Sequence, residues 1–536
     1  MALESIWMNR QIFGERPEKY LPGNFCPVHL GDVFQNRYHI FRKLGSGSQG
    51  TVWLARDKGA PGRRYVALKV LSVKDSILAE PLVETLCKGR AINFENTRSG
   101  KQFVELCYDA FHIQGPYGQK HLVKVLEPLG RSLSSIIQEA SDRRDELHAA
   151  HGGNEPHGKA VKGDRWSIHF AKRTCHQILL GLDYLHRQKV AHRDLRPANV
   201  CAALRIDLSK MSENEIQQQV WDFDTDEDVS EEEEGSATCS SSTDSSTPIP
   251  SKILKVMEYS RLCKKLNAEQ WKKYRADSGD VKAEPHTPAW NKANFIRTAD
   301  SIGLLHRIDL QPPKNGEIRY TVAGEPLLDD NHGLSPANTE VPYNRMVLVD
   351  LGFAKRFEQC KDHKLTTTYD FTPPEGLLPG INDQGLPVLA GGDIFSLGLL
   401  FWVVVMLRHL VQPTFFANDT NRTKLKSKLL YEYTELIGPF PAELRSGWPD
   451  AKLFVDSTGK PIKDGRYAKS GDFTHGNIWD QGRQSKPIDM TNKDFESFMD
   501  LVTSMLRWKA EDRPSTAELL RHRWFRDLPK EERQRG

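Results

Sequence analysis

The sequence predicts an α+β protein of two lobes, a small lobe rich in β-strands followed by a larger, mostly helical lobe. Strand-like apolar segments separated by short turns occupy residues 38–126, whereas residues 166–186 have the apolar spacing of a long helix. A long polar stretch follows this helix. The 536 residues exceed what one lobe needs, so we predict two lobes with an insertion in the second.

The predicted boundaries follow these changes in composition. They delimit an amino-terminal extension (1–36), a small lobe with its hinge (37–130) and a first part of the large lobe (131–204). An acidic, partly disordered insert (205–340), a second part of the large lobe (341–526) and a tail (527–536) follow. The net charge of +3 gives no reason to expect binding to nucleic acid. No apolar run approaches a membrane span and no secretory signal is evident, so we expect the cytoplasm and nucleus.

Three glycines lie in a short turn between strand-like segments at 38–43 and 51–56. They are Gly45, Gly47 and Gly50. Because these residues lack a Cβ, the turn can bring its backbone amides against phosphate oxygens. A tight turn in any β-protein has a similar composition, so the glycines alone are weak evidence for a phosphate site.

The next strand carries a lysine at the spacing that a nucleotide site requires. Its sequence, Tyr-Val-Ala-Leu-Lys-Val at 65–70, places Ala67 towards adenine and Lys69 towards the α- and β-phosphates of ATP. A helix predicted at 76–88 supplies a carboxylate to hold the lysine. Glu84 fits by its distance along the chain, and Glu80 is the alternative partner or a helix cap.

A strand-like segment at 122–126 leads into a short Pro- and Gly-containing connection. This pattern resembles an interlobe hinge whose backbone hydrogen-bonds adenine. Leu126 would lie at the back of the base, at the gatekeeper position, and Glu127 and Leu129 would lie beside it.

The helix predicted at 166–186 delivers the chain into His-Arg-Asp-Leu-Arg-Pro-Ala-Asn at 192–199. Asp194 is suited to accept or orient the proton of a substrate hydroxyl, and Asn199 to bind Mg²⁺. Four residues separate them, so both side chains can point into one cleft. We expect His192 to pack beneath the loop as a structural residue.

An Asp-Leu-Gly motif begins at Asp350, roughly 150 residues after Asn199, and follows an apolar strand at 346–349. A hard cation prefers carboxylate oxygen, so Asp350 is predicted to hold the Mg²⁺ that bridges the β- and γ-phosphates. We interpret the separation as an insertion at the tip of a hairpin. Lengthening that loop from about 13 to about 150 residues costs on the order of 2 kcal/mol.

Three later motifs complete the pattern: Pro373-Pro374-Glu375, Asp393 at the start of a predicted helix, and Arg513 within Glu-Asp-Arg-Pro-Ser. We predict a buried ion pair between Glu375 and Arg513. Each motif taken singly is also an ordinary turn, helix start or N-cap. Their order along the chain is what favours a common explanation.

Together these segments resemble a eukaryotic-type protein kinase over roughly residues 37–526. The lead-in at 20–34, the Asp-Leu-Gly motif, the split domain and Glu-Leu-Ile-Gly at 435–438 are similar to SR-protein kinases in particular. The resemblance implies a bilobal kinase fold and transfer of the γ-phosphoryl of Mg·ATP to Ser or Thr of a protein substrate. It further implies a monomer, with SR splicing factors among the candidate substrates.

The resemblance also implies the residues of the site. Catalytic roles fall to Asp194, Lys69, Glu84, Asn199 and Arg196, and the metal ligands are Asn199 and Asp350. The residues expected to contact ATP are Leu44, Gly45, Gly47, Gly50, Val52, Ala67, Lys69, Leu126, Glu127, Leu129 and Cys201.

The chain departs from the family at several positions. Arg193 is a residue that in many kinases pairs with a phosphorylated activation loop, which leaves regulation by phosphorylation open. Arg196 replaces the usual Lys of serine/threonine kinases and is found in some tyrosine kinases. Thr368 matches the threonine that hydrogen-bonds the catalytic loop in serine/threonine enzymes, and so favours that class.

The family grips arginine-rich substrates with an acidic groove around a helix that ends in Glu-Leu-Leu-Gly. In this chain the segment 421–432 is rich in lysine and arginine, which would repel an Arg-Ser repeat. Two alternatives therefore stay open: a kinase for acidic or neutral sequences, and a pseudokinase scaffold that keeps the fold without turnover.

Within the insert, a capping box at Ser212 predicts a short helix, 222–246 is acid-rich and expected to be disordered, and 252–275 suggests a basic amphipathic helix. The acidic tract is either a phosphoacceptor element or a solvated spacer. The segment 142–165 is interpreted as a polar loop without chemistry.

Overall fold

The computed structural model describes residues 17–20, 23–29, 31–60, 64–79, 100–105, 107–116, 118–138, 140–141, 166–204, 206–213, 216, 306–307, 320–321, 345–359, 368–378, 386–411, 422–462 and 477–529. Within these residues strands dominate the first part and helices the second, which confirms the predicted two-lobed α+β fold. The predicted segments at 142–165, 222–246 and 252–275 lie outside the described residues.

The small lobe contains an antiparallel sheet with strand order β1-β2-β3-β4-β6-β5. The strands are β1 at Val33–Phe34, β2 at Tyr38–Ser46, β3 at Gly50–Asp57, β4 at Arg64–Leu71, β5 at Cys107–Gln114 and β6 at Lys120–Leu126. A helix, α1, occupies 73–79 between β4 and β5. It begins three residues before the predicted start because the Ser72 hydroxyl accepts a hydrogen bond from the backbone N–H of Asp75 at 3.1 Å.

One face of this sheet is covered by the segment that precedes it. Cys26 and Val28 are buried against Tyr38, Trp53 and further apolar residues of the central strands. The lead-in segment is therefore part of the small-lobe core, which gives the sheet an apolar layer on the side away from the cleft.

The large lobe is built on helices with short strands at its upper edge. Its strands are β7 at Leu129–Ser132, β8 at Val190–Ala191, β9 at Val200–Ala203, β12 at Met346–Leu348 and β13 at Lys355–Arg356. Two further strands, β10 at His306–Arg307 and β11 at Tyr320–Thr321, lie in the insert and pair with each other. Its helices are α2 at 133–138, α3 at Ile168–Arg187, α4 at Pro374–Leu377, α5 at Leu386–Met406, α6 at Arg422–Ile437, α7 at Ile478–Ser485, α8 at Asn492–Met505 and α9 at Thr516–Leu520.

Short 3₁₀ helices connect these elements. They lie at Pro17–Tyr20, Lys101–Phe103, Pro197–Asn199, Leu208–Lys210, Phe357–Gln359, Tyr369–Phe371, Ala442–Gly447, Ala451–Leu453, Ala510–Asp512 and Arg523–Phe525.

Helix α5 is the centre of the large-lobe core. It is apolar on nearly all sides because α3 and α8 both pack against it. Across the described parts of the chain, no helix combines the length and the apolar character that crossing a bilayer would need. The apolar sequence of α5 therefore reflects burial inside the lobe.

The β9–β12 hairpin confirms the interpretation of the long separation between motifs. Val200, Cys201 and Ala202 pair in antiparallel register with the three residues of β12, although the two strands are far apart in sequence. The insertion therefore joins the ends of two neighbouring strands, and the residues that flank them are brought together.

The first residues of the insert pack on the small lobe. We call residues 206–213 and 216 the clasp. Within it Leu208 and Ile216 are buried against Phe41, Leu54 and Tyr65 of the sheet. The backbone oxygen of Ile216 accepts a hydrogen bond from Arg42 at 2.6 Å, so the clasp ties a large-lobe strand to the small lobe.

Candidate active site

The catalytic loop runs from the end of β8 to the start of β9. Asp194 is buried within it, and the Asn199 side-chain amide donates to the backbone oxygen of Asp194 at 2.8 Å and to its carboxylate Oδ2 at 2.7 Å. The Arg196 guanidinium lies 3.4 Å from the same Oδ2. These contacts fix the orientation of the Asp194 carboxylate, which a residue that accepts a hydroxyl proton requires.

Asp393 anchors the loop from below. It is 2% exposed and accepts hydrogen bonds from the backbone N–H groups of His192 at 2.8 Å and Arg193 at 2.7 Å. The ring Nε2 of His186 also lies 2.9 Å from its carboxylate. Arg193 has a φ of 68°, and these contacts hold the backbone in that strained region.

Asp393 does not begin a helix, contrary to the prediction. Helix α5 starts at Leu386, so Asp393 lies inside it. Gly391 lies in the same helix, and an added Cβ there would come within 2.7 Å of the Ala510 backbone oxygen. The glycine therefore serves close packing against the segment at 510–512, and the helix continues through it.

His192 joins the two halves of the site, as expected of a structural residue. It is fully buried, its Nε2 lies 3.1 Å from the Val349 backbone oxygen, and its Nδ1 accepts from the Asp194 N–H at 3.3 Å. The backbone N–H of Val349 donates to the backbone oxygen of Asn199 at 2.9 Å. The catalytic loop and the residue before Asp350 are therefore directly bonded despite the insert between them.

Lys69 and Asp350 meet in the cleft, with 2.6 Å between the lysine Nζ and the carboxylate Oδ1. Burial raises the pKa of Asp350, but the charges of Lys69 and Lys124 outweigh it and lower the pKa to about 2. Burial lowers the pKa of Lys69, but Asp350 and Glu105 outweigh it, so this pKa is raised. Both groups are therefore charged at neutral pH.

The expected carboxylate partners of Lys69 cannot be placed, because Glu80 and Glu84 lie outside the described residues. Among the described carboxylates, the one that bonds Lys69 is Asp350. The pairing of Lys69 with a helix glutamate stays a prediction.

Two oxygen ligands are available for a divalent cation, the Asp350 carboxylate and the Asn199 amide. No cluster of three or more His, Cys, Asp or Glu that could cage a metal occurs in the described part of the chain. A pair of oxygen ligands suits Mg²⁺, which keeps several waters and takes its remaining ligands from substrate phosphates. The donor set therefore fits Mg²⁺ delivered with a nucleotide.

The glycine-rich loop closes over this region between β2 and β3. The Gly47 N–H donates to the Gly50 oxygen at 2.9 Å, which forms the turn. An added Cβ at Gly50 would lie 2.1 Å from the Val70 oxygen, so the loop requires glycine there, whereas Gly45 and Gly47 face open space. The buried Gln49 side chain reaches Gly352, where an added Cβ would come within 2.0 Å of its Oε1.

The expected adenine site lies between the hinge and β9. Ala67 and Leu126 are register partners in the sheet and both are buried. Leu129 pairs with Ala203 of β9, the strand that also carries Cys201. Burial raises the pKa of the Cys201 thiol to about 12, so this residue presents an uncharged, weakly polar surface to the cleft.

Arg345 holds the hinge from the far end of the insert. Its guanidinium forms an ion pair with the Glu127 side chain and donates to the Gln102 backbone oxygen at 2.6 Å. Arg345 directly precedes β12, so each end of the insert is tied to the small lobe or to the hinge.

The predicted ion pair between Glu375 and Arg513 is confirmed. Two guanidinium nitrogens of Arg513 bond the two carboxylate oxygens of Glu375 at 2.7 and 2.8 Å, and both side chains are buried. Arg513 also donates to the Gly391 backbone oxygen at 2.7 Å. The pair joins the segment that ends at Glu375 to the segment at 510–512 that packs on α5.

The Thr368 prediction is wrong within the described residues. Thr368 is exposed, and its side chain hydrogen-bonds Asp370 instead of the catalytic loop. The preceding residues 360–367 are not among those described.

Sequence reasoning missed three residues of this region, Arg345, Gln49 and Lys124, which carry no motif of their own. Asp393 was recognised as part of a motif, but its contacts with the catalytic loop were not predicted. Lys124 sits at an inward position of an apolar strand, and a lysine at such a position is a signal that could have identified it.

The comparisons agree with the geometry. The protein kinase domain model matches residues 38–246 and 335–525. Protein kinase dsk1 of Schizosaccharomyces pombe is 34% identical over 35% of this chain and 30% of its own length. The serine/threonine-protein kinase SRPK of Physarum polycephalum is 34% identical over 35% of this chain and 38% of its own length. SRSF protein kinase 3 of Homo sapiens is 32% identical over 35% of this chain and 29% of its own length.

The chain spans about a third of the length of the curated relatives that it matches. A solved kinase-domain structure is 16% identical, with a TM-score of 0.49 over 93% of this chain and 98% of that chain. The residues between the two matched segments, 247–334, lie within the region that interrupts the β9–β12 hairpin.

Proposed function

Because the chain belongs to the protein kinase domain family, we propose that it transfers the γ-phosphoryl group of Mg·ATP to Ser or Thr of a protein substrate. The observation that carries this proposal is the β9–β12 hairpin. It brings Asn199 and Asp350 to one cleft that already contains Asp194 and Lys69. Those four residues are of the types that phosphoryl transfer requires.

The catalytic loop supplies the acceptor side of the reaction. Asp194, held by Asn199, would accept or orient the proton of the substrate hydroxyl. Arg196, close to the same carboxylate, would place positive charge beside the reacting groups. Both roles depend on the loop staying in the geometry that Asp393 and His192 impose.

Lys69 and Asp350 supply the nucleotide side. The Asp350 carboxylate and the Asn199 amide oxygen would hold Mg²⁺, which neutralises the phosphate charge that develops during transfer. Lys69 would then bind phosphate oxygens in place of Asp350. The glycine-rich loop and the pocket formed by Ala67, Leu126 and Cys201 would hold the remainder of the nucleotide.

The substrate class follows from two opposing observations. One relative is named an SRSF protein kinase, which supports proteins with Arg-Ser repeats, such as SR splicing factors, and a role in mRNA processing. In contrast, the described side chains of α6 include the half-buried Lys426 and Lys428. Burial, followed by the charge of Glu435, raises the pKa of Glu432 to about 8, so Glu432 adds little negative charge there at neutral pH.

The composition of α6 therefore favours a second candidate, a kinase that prefers neutral or acidic sequences. A peptide array that compares Arg-Ser repeats with acidic and proline-directed peptides separates the two. Preference for Arg-Ser peptides supports SR-type substrates. Preference for another class, together with a gain of Arg-Ser phosphorylation in a Lys426→Glu/Lys428→Glu variant, supports the second candidate.

A pseudokinase would share the fold and could bind nucleotide without turnover. Radiolabel transfer to protein, measured beside the thermal shift caused by Mg·ATP, distinguishes it from an enzyme. We expect both a shift and transfer in the wild type. A thermal shift without phosphoryl transfer would overturn the proposed activity, while nucleotide binding at the site would still be supported.

Location and assembly also stay predictions. We propose that the protein acts in the cytoplasm and nucleus as a monomer, which imaging of a fluorescent fusion and light scattering after size exclusion would test. A membrane-bound signal or a stable dimer would contradict this.

A further inference from the structure

A second lysine lies beside Lys69 in the cleft. In the antiparallel pairing of β4 with β6, Lys124 is the direct register partner of Lys69. Residues directly opposite each other project from the same face of a sheet, with Cβ atoms about 5 Å apart. Both are buried, Lys69 at 8% and Lys124 at 3% exposure. Like charges in this arrangement repel each other unless further groups compensate.

The ammonium of Lys124 makes no hydrogen bond or ion pair to any residue that the structure describes, whereas Lys69 bonds Asp350. The charged groups that act on Lys124 are Glu105, Lys69 and Asp350. Burial lowers the pKa of Lys124 and Lys69 lowers it further, while Glu105 and Asp350 offset this only in part. The charged form of Lys124 is therefore unfavourable among these protein groups alone.

A buried ammonium that has no partner among the described residues costs folding free energy there, and an apolar side chain of similar length would avoid that cost. Groups retained at such a cost occur preferentially at ligand sites. Among the described residues, the neighbouring groups Lys69, Lys124, Asp350 and Glu105 balance to zero formal charge. Without Lys124 the group would carry a net negative charge and oppose a phosphate chain.

We propose that Lys124 is a binding determinant of the phosphate site. Its ammonium lies on the inner side of β6 and attracts the phosphate chain of a bound nucleotide. This rests on the proposed function, because it concerns the same Mg·ATP site. Since the effect is electrostatic, it should grow with the number of phosphates and be absent for the nucleoside alone.

The test compares Lys124→Met, Lys124→Arg and the control Lys120→Met, which changes an exposed lysine of the same strand. The Kd of adenosine, Mg·ADP and Mg·ATP is measured by calorimetry, and the unfolding temperature without nucleotide is measured in parallel. For Lys124→Met we expect Mg·ADP to bind about tenfold weaker and Mg·ATP weaker still. Adenosine affinity should be unchanged and the unfolding temperature equal or higher.

Lys124→Arg should recover phosphate affinity, and Lys120→Met should match the wild type for all three ligands. Equal weakening of adenosine, or a lower unfolding temperature of Lys124→Met, would show a structural role and overturn the proposal. Unchanged Mg·ADP and Mg·ATP binding would also overturn it. A wild type that binds these ligands without transferring phosphate would contradict the proposed enzyme, but the comparison of Kd values would still decide the role of Lys124.

Discussion

The catalytic loop and the proposed phosphate pocket, formed by Lys69, Lys124 and Asp350, lie in one cleft but are stabilised in different ways. Asp194 is positioned by hydrogen bonds from Asn199, and the loop that carries it by Asp393 and His192. The phosphate pocket instead brings charges together, with Lys69 bonded to Asp350 and Lys124 buried beside them. The acceptor side is therefore fixed by hydrogen bonds within the chain, whereas the nucleotide side concentrates charged groups that would interact with a phosphate chain.

The largest expected effect is chemical and lies in the catalytic loop. Asp194→Asn keeps the shape of the side chain but removes the carboxylate that accepts a proton, so kcat should fall by roughly 10²–10⁴-fold. Because the phosphate pocket is untouched, the Kd of Mg·ATP should change little. Radiolabel transfer and calorimetry measure the two quantities. A loss of Mg·ATP affinity as large as the loss of rate would mean that the two regions are not separate.

The next prediction tests whether Asp393 holds the catalytic loop in its conformation. Asp393→Ala removes the acceptor of two buried backbone N–H groups and the partner of His186. Leaving such groups unsatisfied should lower the free energy of unfolding by about 3 kcal/mol, measured by denaturant titration. Asp393→Asn should recover part of the lost free energy of unfolding. Stability equal to the wild type in Asp393→Ala would show that the loop is held by other contacts.

The third effect concerns charge in the phosphate pocket. The pKa of Asp350 is about 2 in the folded protein and 3.8 without perturbation, so its ionised form stabilises the fold by about 2 kcal/mol. A group whose folded pKa is lowered contributes fully above its unfolded pKa. The contribution is lost as the pH falls from about 5 towards 2.

The measurement is the difference in unfolding free energy between the wild type and Asp350→Asn at several values of pH. We expect the difference to shrink as the pH falls over this range. A difference that is constant with pH would mean that the Lys69–Asp350 pair contributes no pH-dependent stability.

The smallest effect lies in the clasp, which ties the small lobe to β9. Arg56 and Glu213 form an ion pair of 3.2 Å, but both side chains are more than a third exposed. A double-mutant cycle with Arg56→Gln and Glu213→Gln should give a coupling of at most about 1 kcal/mol. By contrast, Ile216→Ala removes a buried contact with the sheet, so it should destabilise more than either polar change. Equal effects would indicate that charge, and not apolar packing, holds the clasp.

The sequence was sufficient for features that depend on the type of residue and on its spacing. The hairpin was predictable because Asn199 and Asp350 must flank paired strands to share a cleft, and the Glu375–Arg513 pair followed from the motif order. The start of α5 was not predictable, because glycine usually ends a helix and the packing of Gly391 on Ala510 is a tertiary effect. Lys124 was missed because its contact with Lys69 depends on strand register.

The central claim is that Asp350 and Lys69 form one Mg·ATP site although a long insert precedes Asp350. The most direct test is the Kd of ATP with and without Mg²⁺, for the wild type, Asp350→Asn and the control Asp207→Asn in the exposed part of the clasp. We predict that Mg²⁺ tightens ATP binding to the wild type and to Asp207→Asn on the order of tenfold, and that Asp350→Asn loses this effect. An undiminished effect of Mg²⁺ in Asp350→Asn would contradict the claim.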